Sequence, residues 1–144
     1  NGYHYHLDAC TSALYVNRRG SPYSHQYWFF DLERKIRLIR AITEASNRCA
    51  PRVWVTETNW PLLDTKPYTP NSGLPRSTVD EATQAKYLTD YYRIAYQTGL
   101  IERVYWWQLI NPGYGLVDHR HGVIRKMPSF NAFAKLLAGG VLQD

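Results

Sequence analysis

Glu57 is a carboxylate at a position where burial destabilises a charge unless the charge has work to do. It closes the run Arg52-Val53-Trp54-Val55-Thr56-Glu57. The β-branched and aromatic residues of that run read as a buried strand. Pro51 precedes the strand, and Pro61 ends it because proline has no ladder donor. A carboxylate on an otherwise apolar strand needs a partner or a purpose. Asn59 and Trp60 follow directly. Indoles stack on the apolar faces of sugar rings and amides bind hydroxyls, so this neighbourhood suits carbohydrate. The competing reading is a structural carboxylate paired with a nearby arginine.

Two further stretches could stand beside it. Gly2-Tyr3-His4-Tyr5-His6-Leu7 reads as a strand with Tyr3 and Tyr5 on one face and His4 and His6 on the other. The histidines serve either as rim or core residues or as hydrogen-bonding groups toward sugar or Glu57. With no third ligand nearby, no metal site is expected. Glu102-Arg103-Val104-Tyr105-Trp106-Trp107-Gln108-Leu109 is nearly continuously apolar, as buried parallel strands are. Trp106 and Trp107 point to opposite faces, so one meets a ligand and the other packs under helices. Gln108 shares the face of Trp106.

The connecting elements follow from the same rules. Residues 8–24 read as a loop. A helix is expected from about His25 to Ser46, capped by Ser24 and stopped by Asn47, with Phe29, Leu32, Ile36, Ile39 and Thr43 on its apolar stripe. Residues 61–78 form a long loop rich in Pro, Thr, Asn and Ser, and its place after Glu57 suggests a functional lid. A second helix runs from about Val79 to Thr98, opened by Ser77 or Thr78, with Ala85, Leu88, Tyr92, Ala95 and Tyr96 inward and Gly99 as its stop. Residues 116–126 form a loop with a short hairpin, in which Asp118, His119 and His121 make a polar, solvated stretch, with substrate contact by Asp118 as the alternative. Pro128–Leu137 is a last helix, with Pro128 at its first turn. The β-α-β-α-β-α order, with helices long enough for crossovers, gives a parallel α/β fold in a single domain spanning residues 1–144. Its strand ends would gather His4, His6, Glu57, Asn59, Trp60, Trp106, Trp107 and Gln108.

Composition narrows the function classes. The 17 basic and 12 acidic residues leave a net charge of +5, but no basic run reaches the length of a nucleic-acid footprint. No apolar run is long enough to span a membrane. Cys10 and Cys49 match no metal motif. They are two buried thiols or one bridge in an oxidising compartment.

These residues carry a resemblance. Thr56-Glu57-Thr58-Asn59-Trp60-Pro61-Leu62 resembles the seventh-strand nucleophile motif of clan A retaining glycoside hydrolases, the (β/α)8 barrels. Tyr105-Trp106-Trp107-Gln108-Leu109 resembles their eighth strand, where a tryptophan floors the sugar subsite. Gly2-Tyr3-His4-Tyr5-His6 resembles their sixth strand. Pro112-Gly113-Tyr114-Gly115-Leu116-Val117-Asp118, with Arg125 and Pro128-Ser129-Phe130, is similar to the run into their final helix. The motifs resemble those of family 39 and its relatives. The resemblance implies Glu57 as nucleophile on a β-glycoside of an oligo- or polysaccharide. His4, His6, Asn59, Trp60, Trp106, Trp107 and Gln108 would be substrate contacts, and no cofactor is implied. Its spacing favours Trp106 as the sugar floor, although Trp107 lies nearer the strand end. Enzymes of this kind often act outside the cytoplasm, so the resemblance is compatible with an extracellular or periplasmic place, and the sequence leaves the compartment open.

One departure limits the expectation. Such barrels carry an Asn-Glu pair whose glutamate is the acid/base, and this chain has no Asn-Glu dipeptide. Three βα units stand against eight in the roughly 250 residues of a barrel. The chain is therefore expected to be the C-terminal three-eighths of a partial (β/α)8 TIM barrel, with the acid/base missing. It should act feebly alone, and should self-associate or pair with the missing N-terminal barrel portion. A non-catalytic carbohydrate-binding module or a structural half-barrel would use the same aromatics.

Overall fold

The computed structural model describes residues 10–13, 22, 32–46, 52–63 and 78–139. Three parallel strands form one sheet in the order β1 (Cys10–Ala13), β2 (Val53–Thr58), β3 (Arg103–Trp106). Helix α1 (Leu32–Ser46) lies between β1 and β2 in the chain, and α2 (Glu81–Thr98) between β2 and β3. Residues 117–118 (β4) and 125–126 (β5) make a short antiparallel hairpin, followed by α3 (Pro128–Leu137). The chain is thus an α/β protein. Among the described residues no helix is long and apolar enough to cross a membrane.

Spatial order equals chain order in this sheet, with no reversal. Crossovers of the usual right hand then place successive helices on one face of the sheet. The packing agrees: Leu32 and Ile36 of α1, Val55 of β2, and Leu88, Tyr91, Ile94 and Ala95 of α2 share one core with Trp60, Trp106, Leu116 and Leu136. Period-two alternation sends the intervening side chains to the other face. There Thr56 and Arg103 are exposed, Trp54 is half-buried, and Tyr105 is 45% exposed. The Arg103 guanidinium lies 4.9 Å from the Trp54 ring centroid, and Trp54 Nε1 donates to Glu102 at 2.7 Å.

Several expectations are corrected. A strand, β1, occupies residues 10–13 inside the stretch read as loop; Cys-Thr-Ser-Ala has no strong strand signal and is recruited by pairing with β2. The expected strand at Gly2–Leu7, with His4 and His6, lies outside the described residues, as does Asn47. Helix α2 is capped by Asp80, whose carboxylate accepts the Thr83 N–H at 2.6 Å, and not by Ser77 or Thr78. The backbone of Val79 is already taken up by Pro61 and Leu63, which delays the helix start. Its inward stripe is Gln84, Leu88, Tyr91, Ile94 and Ala95, turned from the expected one so that Tyr96 is exposed. Strand β3 ends at Trp106, short of the expected Leu109. Gly99, at φ 62°, stops α2, and Pro128 opens α3, where the sequence places them.

Candidate active site

The C-terminal end of β2 departs from regular pairing on both sides. Toward β1, Ser12 and Ala13 face Val55 and Glu57, so one step on β1 spans two on β2. Toward β3, Val104 and Trp106 face Val55 and Thr58, so two steps span three. Both neighbours therefore count one extra residue in β2 at Thr56–Glu57. Such a bulge kinks the strand and re-aims the side chains it carries. Glu57, half-buried, sits at that kink.

Beyond the bulge the strand is clamped by a side chain. Trp107 N donates to Thr58 O at 3.1 Å and ends the ladder. Asn59, 6% exposed, then replaces it. Its Nδ2 donates to Tyr114 O at 2.6 Å and also to Trp107 O. Its Oδ1 accepts from Trp60 N at 2.6 Å and from Gln84 Nε2 at 3.2 Å. Gln84 Nε2 also donates to Trp60 O at 2.9 Å. Both amide protons and both acceptor sites of Asn59 are in use. Asn59 is therefore a buried clamp with no capacity left for a sugar hydroxyl, contrary to the expected role.

The tryptophans separate in the same way. Trp60 is 1% exposed and Trp106 is 8% exposed. Their rings stack at 6.0 Å, and Trp60 meets Tyr87 and Tyr91 edge-on at 5.2 and 6.2 Å. Both belong to the core beneath α2, so neither offers a face to a ligand, and the expected sugar floor at Trp106 is corrected. Trp107, just past the end of β3, stays half-buried, its ring against Tyr114 at 5.5 Å. Gln108, joined to Trp107 by a cis peptide, is half-buried and accepts from Leu116 N at 3.1 Å through its carbonyl. The structure thus brings Glu57 and Trp107 to adjoining strand ends and withdraws Asn59, Trp60 and Trp106 into the interior.

Loops from both flanks close on this end of the sheet. Leu62 N donates to Gly113 O at 2.8 Å, and Leu62 bridges Val79, so the neck of the long 61–78 loop is fastened; residues 64–77 lie outside the described residues. The hairpin holds the same segment. Asp118, 2% exposed, accepts from Arg120 Nε at 2.6 Å and Arg120 N at 2.9 Å, and Arg120 reaches Leu63 O at 2.7 Å. Burial alone would raise the Asp118 carboxyl, but the hydrogen bonds and charge of Arg120 outweigh it and hold it below the usual range. Asp118 is a structural anchor here.

Ion pairs tie down further carboxylates among the described residues. Glu81 pairs with Arg125, Asp90 with Lys86 at 2.6 Å, Glu33 with Arg37 and Glu44 with Arg40. No group of three or more metal-ligating side chains occurs among the described residues. Sequence reading missed Gln84, although a glutamine four and seven residues before Leu88 and Tyr91 on a buried stripe is a legible signal. It also missed Arg120, whose partners depend on the hairpin. Against models of known protein families and against the curated proteins, the chain has no match.

Proposed function

We propose that this chain is the C-terminal part of a retaining glycoside hydrolase of the (β/α)8-barrel type, with Glu57 as nucleophile and Trp107 as the aromatic floor. The observation that carries the reading is the placement of Glu57: a half-buried carboxylate at a bulge on the C-terminal end of the middle parallel strand. C-terminal strand ends are where barrels of this type do chemistry. Support also comes from strand order equal to chain order and from helices on one face, which is how barrel units are wound. The other face, with Thr56, Arg103 and Tyr105 exposed, would become the barrel interior.

In this reading the Glu57 carboxylate attacks the anomeric carbon. The glycosidic C–O bond breaks, and a glycosyl-enzyme ester forms on the side chain. The departing oxygen takes its proton from an acid in the remainder of the barrel, roughly 5 Å from the nucleophile. The same group then draws a proton from the water that releases the sugar.

The test is intact-protein mass after incubation with 2-fluoro glycosides bearing dinitrophenolate leaving groups. Such a leaving group needs no proton, so the first step proceeds without the general acid. The expected result is one added glycosyl mass in the wild type and none in Glu57→Gln. Sugar binding that survives in Glu57→Gln, with no adduct in either protein, would favour a binding module instead.

A further inference from the structure

Gln84 violates the composition rule of its own helix face. It is fully buried on a stripe that otherwise holds Leu88, Tyr91, Ile94 and Ala95. A buried amide destabilises a core unless it is bonded, and Gln84 is only half satisfied: Nε2 makes two hydrogen bonds while Oε1 has no partner among the described residues. Residues that break a local rule mark sites where something other than stability is being set.

What Gln84 touches says what that is. Its two acceptors, Asn59 Oδ1 and Trp60 O, lie two and three residues past Glu57. Asn59 in turn grips Trp107 O and Tyr114 O. The extra residue of the bulge gives the strand end freedom to twist, and among the described residues no ladder bond follows Thr58 to remove it. The amide pair supplies what the ladder does not. It runs from α2, through the strand just past the bulge, to the backbone of the aromatic residue on the adjoining strand end.

We infer that Asn59 and Gln84 form a positioning pair that sets the aim of Glu57 relative to Trp107. Neither touches sugar, and both act through the backbone of 58–60. The inference rests on the glycosidase reading for what Glu57 does, though not for how it is held. A reacting carboxylate must sit within a few tenths of an ångström of its line of attack, and displacement by about 1 Å can lower a rate a hundredfold.

Gln84→Met keeps the length and removes both hydrogen bonds. In protein carrying 13C at the glutamate carboxyls, with the Glu57 signal assigned by Glu57→Gln, the Glu57 carboxyl resonance should move in Gln84→Met while those of Glu33 and Glu44 stay. The rate constant for glycosyl-enzyme formation should fall about ten- to hundredfold, with the inhibitor's binding constant within about twofold. A lower Tm with both the carboxyl signal and that rate unchanged would mean plain packing and overturn the inference. A signal that moves in Gln84→Met, together with a wild type that forms no adduct, would retain the positioning pair and discard the glycosidase reading. Side-chain amide exchange in the wild type decides the matter should the variant not fold. Slowed exchange of the Asn59 amide protons is expected, and exchange as fast as in a solvated asparagine overturns the clamp.

Discussion

Arg120 Nε lies 2.6 Å from Asp118 Oδ2, and the same guanidinium reaches Leu63 O at 2.7 Å. One ion pair thus joins the hairpin to the segment that follows Glu57. Because the folded state holds the Asp118 carboxyl below its ordinary value, the pair contributes stability above the unfolded pKa, and that contribution is lost as pH falls through the folded pKa. The Tm should therefore fall below about pH 4, the range of an unperturbed aspartate. Asp118→Asn should be less stable than the wild type by about 2 kcal/mol at pH 7, and the gap should narrow as the pH falls below the ordinary aspartate value. Parallel Tm curves for the two proteins from pH 3 to 7 would contradict this.

The two adjacent tryptophans should respond in opposite ways. Trp106→Ala removes an indole from the core and should destabilise the fold by about 3–5 kcal/mol. Trp107→Ala should cost much less stability while weakening sugar affinity. Denaturant midpoints, together with ligand titration monitored by tryptophan fluorescence, separate the two effects.

Gly115 admits no side chain. A Cβ there would collide with the backbone at Asn111 N and Val117 O, neither of which is a movable side-chain end. Gly115→Ala should push apart the turn that presents Tyr114 O to Asn59 and lower stability by about 2–4 kcal/mol. Equilibrium unfolding measures it, and a change under about 0.5 kcal/mol would show that the turn relaxes at no cost.

The sheet face carrying Trp54, Arg103 and Tyr105 is exposed, whereas parallel sheets ordinarily have both faces covered. The isolated 16.8 kDa chain should therefore self-associate at micromolar concentration. Tyr105→Lys, with a charge on that face beside Arg103, should shift the equilibrium toward monomer. Sedimentation velocity of the two proteins is the measurement, and a wild type that sediments as a monomer at all concentrations refutes it.

Features decided within a few residues were legible in the chain alone. The apolar run from Val53, the helix ending at Gly99, the proline start of α3 and the parallel α/β rhythm depend on local propensity and periodicity, which need no partner. The position of Glu57 near the end of that strand was legible as well. Contacts between distant segments were not legible. The sequence shows that Trp106 and Trp107 oppose each other, but not which faces the core, because that depends on the register of β3 against β2. The bulge at Thr56–Glu57 exists only as a count against two other strands. Asn59 looks like a ligand-binding amide until Trp107 O, Tyr114 O and Gln84 converge on it from 25 to 55 residues away. Only the meeting of these chain segments decided how Asn59 is held, because a buried amide takes its role from whichever carbonyls and amides the fold brings within hydrogen-bonding reach.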